Sequence, residues 1–222
     1  MPEKLRMRFS KTGRAVWLSH LDLMRTMQRA FLRADYPLKY SEGFNPHAQI
    51  SILLPLSVGC SSVCELMDFQ LRDDAELRTI PERMNAALPE GIRVLEVYPS
   101  ENKAKYLKWL RVAGRLEYDA GNAAEIVGRL SEFYRQPELV ITRKTKRGEG
   151  ETDIIPAIRE ISAEAAENGK MIVLHAVISA QEPTLNPELL IAALRQKAPE
   201  LVPDFSAFQR EEVYFENGEV FR

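Results

Sequence analysis

The feature that most narrows what this chain can fold into is a change of hydrophobic period that recurs in a fixed order. Leu5, Met7 and Phe9 alternate with Lys4, Arg6, Arg8 and Ser10. That is period two, a half-buried strand with a basic outer face. After a turn at Lys11-Thr12-Gly13-Arg14 and a short extended piece at Val16-Trp17-Leu18, the period becomes helical. Leu21, Met24, Gln28 and Phe31 follow one face. Ser19, with Asp22 three residues on, makes a capping-box-like start, and Tyr36-Pro37 stops the helix. Strand-like runs follow from Gln49 to Leu54 and from Cys64 to Leu71. A short helix begins around Thr79 and Glu82 and runs to Leu88, and a strand covers Ile92 to Tyr98. The order is strand, helix, strand, strand, helix, strand, the ferredoxin-like pattern.

Pro99 to Lys103 reads as a linker, after which the order repeats. Leu107 to Tyr118 is a strand. Asn122 and Glu125 open a helix carrying Ile126, Leu130 and Phe133. Glu138 to Thr142 is an additional strand. Ile154 to Ala163 and Lys170 to Ser179 form a hairpin around Glu167-Asn168-Gly169. Asn186-Pro187 opens the last helix and Phe208 to Phe215 is the last strand. The expected fold is therefore α+β: two tandem ferredoxin-like (βαββαβ) halves with mainly antiparallel sheets. An N-terminal domain would cover 1–100 and a C-terminal one, with an extra strand, 104–222.

Several function classes lack support. No apolar run approaches the roughly 18–20 residues that span a bilayer, and MPEKLRMRFS has no signal-peptide core, so a cytoplasmic location is expected. The two cysteines, Cys60 and Cys64, are too few for a disulfide framework or a zinc site. No phosphate-binding loop, dinucleotide fingerprint, nucleophile elbow or H-E-x-x-H is present. No metal or cofactor is expected.

Charge marks the N-terminal fifth. Nine Lys/Arg against four Asp/Glu give residues 1–47 a surplus of five, leaving −7 for the rest of a chain whose net charge is −2. Such polarity fits an anionic partner on one side. Arg25, Arg29 and Arg33 recur every four residues as one helical stripe, and arginine's planar fork suits phosphate. His20 falls in the first helical turn, where free N–H groups and the helix dipole make an anion site, with Asp22 placed to orient it. In Tyr40-Ser41-Glu42-Gly43-Phe44-Asn45-Pro46-His47, Gly43 permits a positive φ and Asn45-Pro46 fixes a turn. That turn would hold Phe44 out for stacking and aim His47 inward. Arg143, Lys144, Lys146 and Arg147 run into Gly148-Glu149-Gly150, a basic hairpin tip suited to phosphates. Each feature also has an ordinary structural reading: a solvated helix face, a capped helix end, a loop anchored by Phe44, a solvated loop.

The run Phe9-Ser10-Lys11 through Ser19-His20-Leu21-Asp22-Leu23-Met24-Arg25 resembles the start of the radical SAM-linked proteins, a family of unknown function. So does Tyr40 to His47 with the following Leu54-Pro55-Leu56-Ser57-Val58-Gly59, and Asp153-Ile154-Ile155-Pro156. The resemblance implies that Ser19, Tyr40, Glu42, Gly43, Asn45 and Pro46 belong to a structural signature. It also implies a partner in trans: a radical SAM protein with a cobalamin-binding-like domain. Cys60-x3-Cys64 continues to Met67, so the three-cysteine iron–sulfur loop of such enzymes is incomplete here.

The leading expectation is an RNA-binding accessory protein that presents tRNA or rRNA to that partner, with no catalysis of its own. Arg25, Arg29, Arg33, Phe44 and the 143–147 segment would bind, and His20 and His47 would line the pocket. One alternative is a metal-independent RNA-processing enzyme with His20 and His47 as acid and base. Another is a protein-interaction domain that docks on the partner without touching RNA.

Overall fold

The computed structural model describes residues 4–145 and 148–222. The chain divides into two compact units, one of residues 1–106 with Phe221–Arg222 and one of residues 107–220.

In the first unit, β1 (Leu5–Lys11) leads through a 3-10 turn at Gly13–Trp17 into α1 (His20–Arg33). β2 (Ile50–Ile52), β3 (Ser61–Phe69), α2 (Ile80–Ala87) and β4 (Ile92–Pro99) follow. β1 lies between β3 and β4, β2 pairs with β3, and every neighbour is antiparallel. This is the split βαβ arrangement of a ferredoxin-like sheet. Alternation decides which side is covered. Leu5, Met7 and Phe9 join Met67 and Phe69 against Leu23, Met27, Ala30 and Phe31 of α1 and Ile80 and Met84 of α2.

The second unit repeats the plan. β5 (Trp109–Glu117), α3 (Ala123–Phe133), β8 (Ile158–Ala165), β9 (Met171–Ser179), α4 (Glu188–Lys197) and β10 (Phe205–Tyr214) form the βαββαβ frame. β5 sits between β9 and β10, and β8 pairs with β9. Between α3 and β8 a separate hairpin is inserted, β6 (Val140–Thr145) with β7 (Gly148–Asp153). In β5, Gly114 stands opposite Phe208, whose ring lies where a Cβ would sit. The mixed α+β class with mainly antiparallel pairing thus agrees with the sequence reading.

Several local expectations need correction. Val16-Trp17-Leu18 is not extended: Val16 and Trp17 belong to the 3-10 turn. The outer face of β1 is not a solvated basic face. Arg6 is wholly buried against Asp68, and half-buried Arg8 pairs with Glu96 at 2.6 Å. Lys11 is buried too, its ammonium donating to the carbonyls of Val16 and Leu18. Burial pulls the Lys11 pKa down, with Glu65 and then Cys60 opposing the fall. The helix expected from around Thr79 starts at Ile80: Thr79 closes a 3-10 turn (Leu77–Thr79), its hydroxyl donating to the Glu76 carbonyl and meeting the Tyr36 hydroxyl. The single extra strand is a two-stranded hairpin, and Pro156 sits in a 3-10 turn (Ile155–Ala157) that delays β8 to Ile158.

Candidate nucleic-acid interface

The topology of the first unit sorts the expected site residues to two ends. His20 begins α1, just beyond the end of β1. α1 runs back along the sheet for 14 residues, about 21 Å at 1.5 Å per residue. The chain then crosses to the other end, where Leu38 bridges Leu71, and Leu5 and Ile50 both lie opposite Phe69. His47 precedes Ile50 by three residues and so lies at that far end. The two histidines are on the order of 20 Å apart, too far to act on one bond or share one metal. The structure thus does not bring together His20 and His47, the residues expected as acid and base.

At the first end, the Ser19 hydroxyl accepts from the Asp22 N–H at 3.2 Å and donates to its carboxylate at 2.7 Å. Asp22 also meets Arg25 at 3.5 Å, so it serves the cap and an exposed ion pair rather than orienting His20. His20 is exposed, as are Trp17, Leu21 and Val58, and Gly59 packs beside the Trp17 ring.

At the other end, residues 38–49 double back on themselves. Tyr40 bridges Ala48, the Ser41 N–H donates to the His47 carbonyl, and the Gln49 N–H donates to the Lys39 carbonyl. The Ser41 hydroxyl lies 2.9 Å from His47 Nδ1 and accepts from the His47 N–H at 3.1 Å. Gly43 takes a φ of +119°, which side chains disfavour, so the turn needs glycine there. Phe44, midway between the bridged residues, is fully exposed, and Glu42, Asn45 and Pro46 surround it in the open. His47 does not aim into the protein. It is exposed on the rim of a small hollow of about 290 Å³ that Lys4 and Asp68 also line.

Beside this loop, under the second half of α1, lies a cleft of about 550 Å³. Phe31, Tyr36 and Leu38 are its buried lining, and Leu32 and Tyr40 stand open beside them. Three cations converge there: Arg29 from α1, Lys39 from the segment after it, and Arg72 from just past β3. Among the described residues neither Arg29 nor Lys39 has an ion-pair partner, and Arg72 meets only its neighbour Asp73, at 3.1 Å. The expected arginine stripe is thereby divided. Arg25 pairs with Asp22, Arg33 donates to the Ala87 carbonyl at the end of α2, and Arg29 alone faces the cleft.

Sequence reasoning missed the part played by Lys39, Leu32, Tyr36 and Arg72. Lys39 and Leu32 carried a faint signal, a cation and an apolar residue beside the helix stop. Arg72 carried none, because only the pairing of Leu38 with Leu71 and the bond from the Arg72 N–H to the Pro37 carbonyl bring it here. The other expected basic element belongs to the second unit. Half-buried Arg143 lies in β6 opposite Gly150, and the Lys144 backbone lies opposite Glu149. Lys146 and Arg147 lie outside the described residues.

Residues 4–187 match the model of a family described as "uncharacterized protein conserved in bacteria", DUF2344. The chain belongs to the DUF2344 family. The match takes in the loop bearing Phe44, the cleft and the inserted hairpin. No curated protein matches this DUF2344 chain. Among solved structures it is similar to a chain of a Cbf5-Nop10-Gar1 complex, with a TM-score of 0.51 and 12% identity. That alignment covers 96% of this chain and 50% of the other, so this DUF2344 member spans about half the length of that chain. At that identity the likeness speaks for the fold alone. An unknown protein from Galdieria sulphuraria aligns over 96% of this chain and 100% of its own, with 10% identity and a TM-score of 0.27.

Proposed function

We propose that this chain is an RNA-binding accessory protein that grips RNA at the Phe44 end of its first unit and presents it to a partner enzyme. The observation that carries the reading is the convergence of Arg29, Lys39 and Arg72 on one cleft, with Tyr40 and Phe44 exposed beside it. Cations give sequence-independent affinity for phosphate, and exposed rings give stacking surfaces for bases. The RNA would be tRNA or rRNA. The partner would be the radical SAM protein implied by the resemblance of the Ser19–Arg25 and Tyr40–His47 blocks. The opposite end, with Trp17, Leu21 and Val58 exposed, suits protein contact, so one unit can hold RNA and partner at once. No chemical step is assigned to the chain.

Filter binding to total tRNA and rRNA across a salt series tests this. Affinity should fall steeply with salt. Replacing Arg29, Lys39 and Arg72 together by Glu should flatten the slope by roughly 2, at about 0.7 per phosphate contact on single strands. A flat response in the unaltered protein, or no binding near physiological salt, would sink the reading.

A further inference from the structure

We infer that the cleft between α1 and the 36–40 segment holds an unpaired nucleotide, its base against Tyr40 and Leu32 and its phosphates on Arg29, Lys39 and Arg72. This rests on the RNA-binding reading above and narrows it to single-stranded RNA. Three observations lead there. First, the cleft's volume, about 550 Å³, falls in the ~300–1,000 Å³ range of sites that enclose a small ligand. A stacked, paired base has no free face to offer such a hollow, whereas an unpaired one does.

Second, polarity is divided. The floor is built from Phe31, Tyr36 and Leu38, while the cations stand at the margin on three different segments. A flat cationic surface would suit the outside of a duplex. An apolar floor inside a cationic rim suits a flat apolar ring that carries its negative charge at one edge, which describes a nucleotide. Leu32 and Tyr40, 76% and 56% exposed, are large apolar side chains left in water beside that rim, and an inserted base would cover them.

Third, the adjoining loop continues the surface. Tyr40 is fixed by its bridge to Ala48, and the Ser41–His47 bonds hold the base of the turn. Phe44 therefore projects from a braced support four residues beyond Tyr40, within about 13 Å along the chain. A second base of the same strand can stack there. The pair of rings beside a run of cations is the arrangement that holds single strands without reading sequence.

The test compares a fluorescein-labelled unpaired 12-mer RNA with the same strand in a perfect duplex, by anisotropy at one salt concentration. A 2-aminopurine base in the unpaired strand reports stacking. The unpaired strand should bind at least about tenfold tighter, with quenched 2-aminopurine. Tyr40→Ala should weaken it roughly 5- to 150-fold, the equivalent of ~1–3 kcal/mol per stacked base, and Tyr40→Phe should restore it. Because Tyr40 is more than half exposed, circular dichroism should show both variants folded. Equal binding of both RNAs, with Tyr40→Ala unchanged and Arg29→Glu weakened, would overturn the nucleotide site and leave RNA binding standing. No binding of either RNA would overturn both.

Discussion

Arg6 and Asp68 stand directly opposite one another on β1 and β3 and form a two-pronged ion pair, with Nε 2.6 Å from Oδ1 and Nη2 3.2 Å from Oδ2. The guanidinium is wholly shielded from water. Its Nη2 also donates to the Ser100 hydroxyl and the Asn102 carbonyl, and its carbon lies 5.0 Å from the centre of the Phe221 ring. Desolvating an arginine this fully is tolerable only while its counter-charge is in place.

Asp68→Ala should therefore cost about 3–5 kcal/mol, since it strands a buried cation. Lys4 also reaches Asp68, at 2.7 Å, but its side chain is largely exposed, so Lys4→Ala should cost only about 0–1 kcal/mol. The sequence has two tryptophans, Trp17 and Trp109, one in each unit. In a Trp109→Phe background, urea unfolding followed by Trp17 fluorescence reads the first unit. Equal midpoints for the two variants would contradict this account of the pair.

Phe221→Ala should lower that same midpoint. The ring is fully buried in the first unit and lies over Arg6. Its truncation removes buried area and opens a cavity, a loss of about 3–5 kcal/mol. Phe221→Leu should recover much of it. If the alanine variant unfolds at the unaltered urea concentration, the seat under Arg6 contributes nothing.

Phe44→Ala and His20→Ala should part company in RNA binding. Phe44 is fully exposed, so removing it should leave urea stability within about 0.5 kcal/mol. It should weaken single-stranded RNA roughly 5- to 150-fold, as loss of a stacking ring does. His20 stands at the other end of α1, and its replacement should change affinity by less than about twofold. Anisotropy on one labelled oligonucleotide measures both. Comparable losses would mean the RNA surface runs the length of the helix.

Alkaline pH should unfold the chain through its buried phenols. Burial pushes Tyr98 and Tyr118 from 10.0 up to about 12, and Tyr134 is also pushed upward. The folded chain thus keeps protons that the unfolded chain releases from pH 10. This contribution is complete below pH 10 and is lost as pH rises through about 12. Lys11 has the opposite sign. Its pKa is lowered from 10.5, so stability gains with pH until the unfolded lysine has titrated, and nothing thereafter. The Tm should fall between pH 10.5 and 11.5. Tyr118→Phe should lose about 1 kcal/mol at pH 8 with the bond to the Leu201 carbonyl, yet show a shallower alkaline fall. An equally steep fall in that variant would rule Tyr118 out as a contributor.

What could be read from the sequence divides along the line between local and non-local causes. The strand, the helix and the Ser19–Asp22 cap are set by residues within a few positions of each other, and alternation or spacing reveals them. The covering of β1's second face is not. Alternation says that Arg6 and Met7 point opposite ways, but Arg6 is buried by Asp68, 62 residues away, and by Phe221. The candidate site follows the same rule. The turn that exposes Phe44 is coded by Gly43 and the Asn45-Pro46 pair, all nearby. The cleft needs Leu38 beside Leu71 to bring Arg72 to Lys39, and no spacing within either segment announces that. The stripe of three arginines misled for a related reason: helix geometry aligned them, but Asp22 and the end of α2 claimed two.

The seat of Phe221 also sets a timetable. The first unit's own strands and helices are complete by Tyr106, yet one of its buried rings is made only after the whole of 107–220. At roughly 5–20 residues per second, the ribosome takes on the order of ten seconds over that interval. For that time the nascent first unit carries Arg6 without its ring, and the unit is filled only once residue 221 has been made. A chain cut anywhere within 107–220 would leave that unit with a buried guanidinium bare of its aromatic cover.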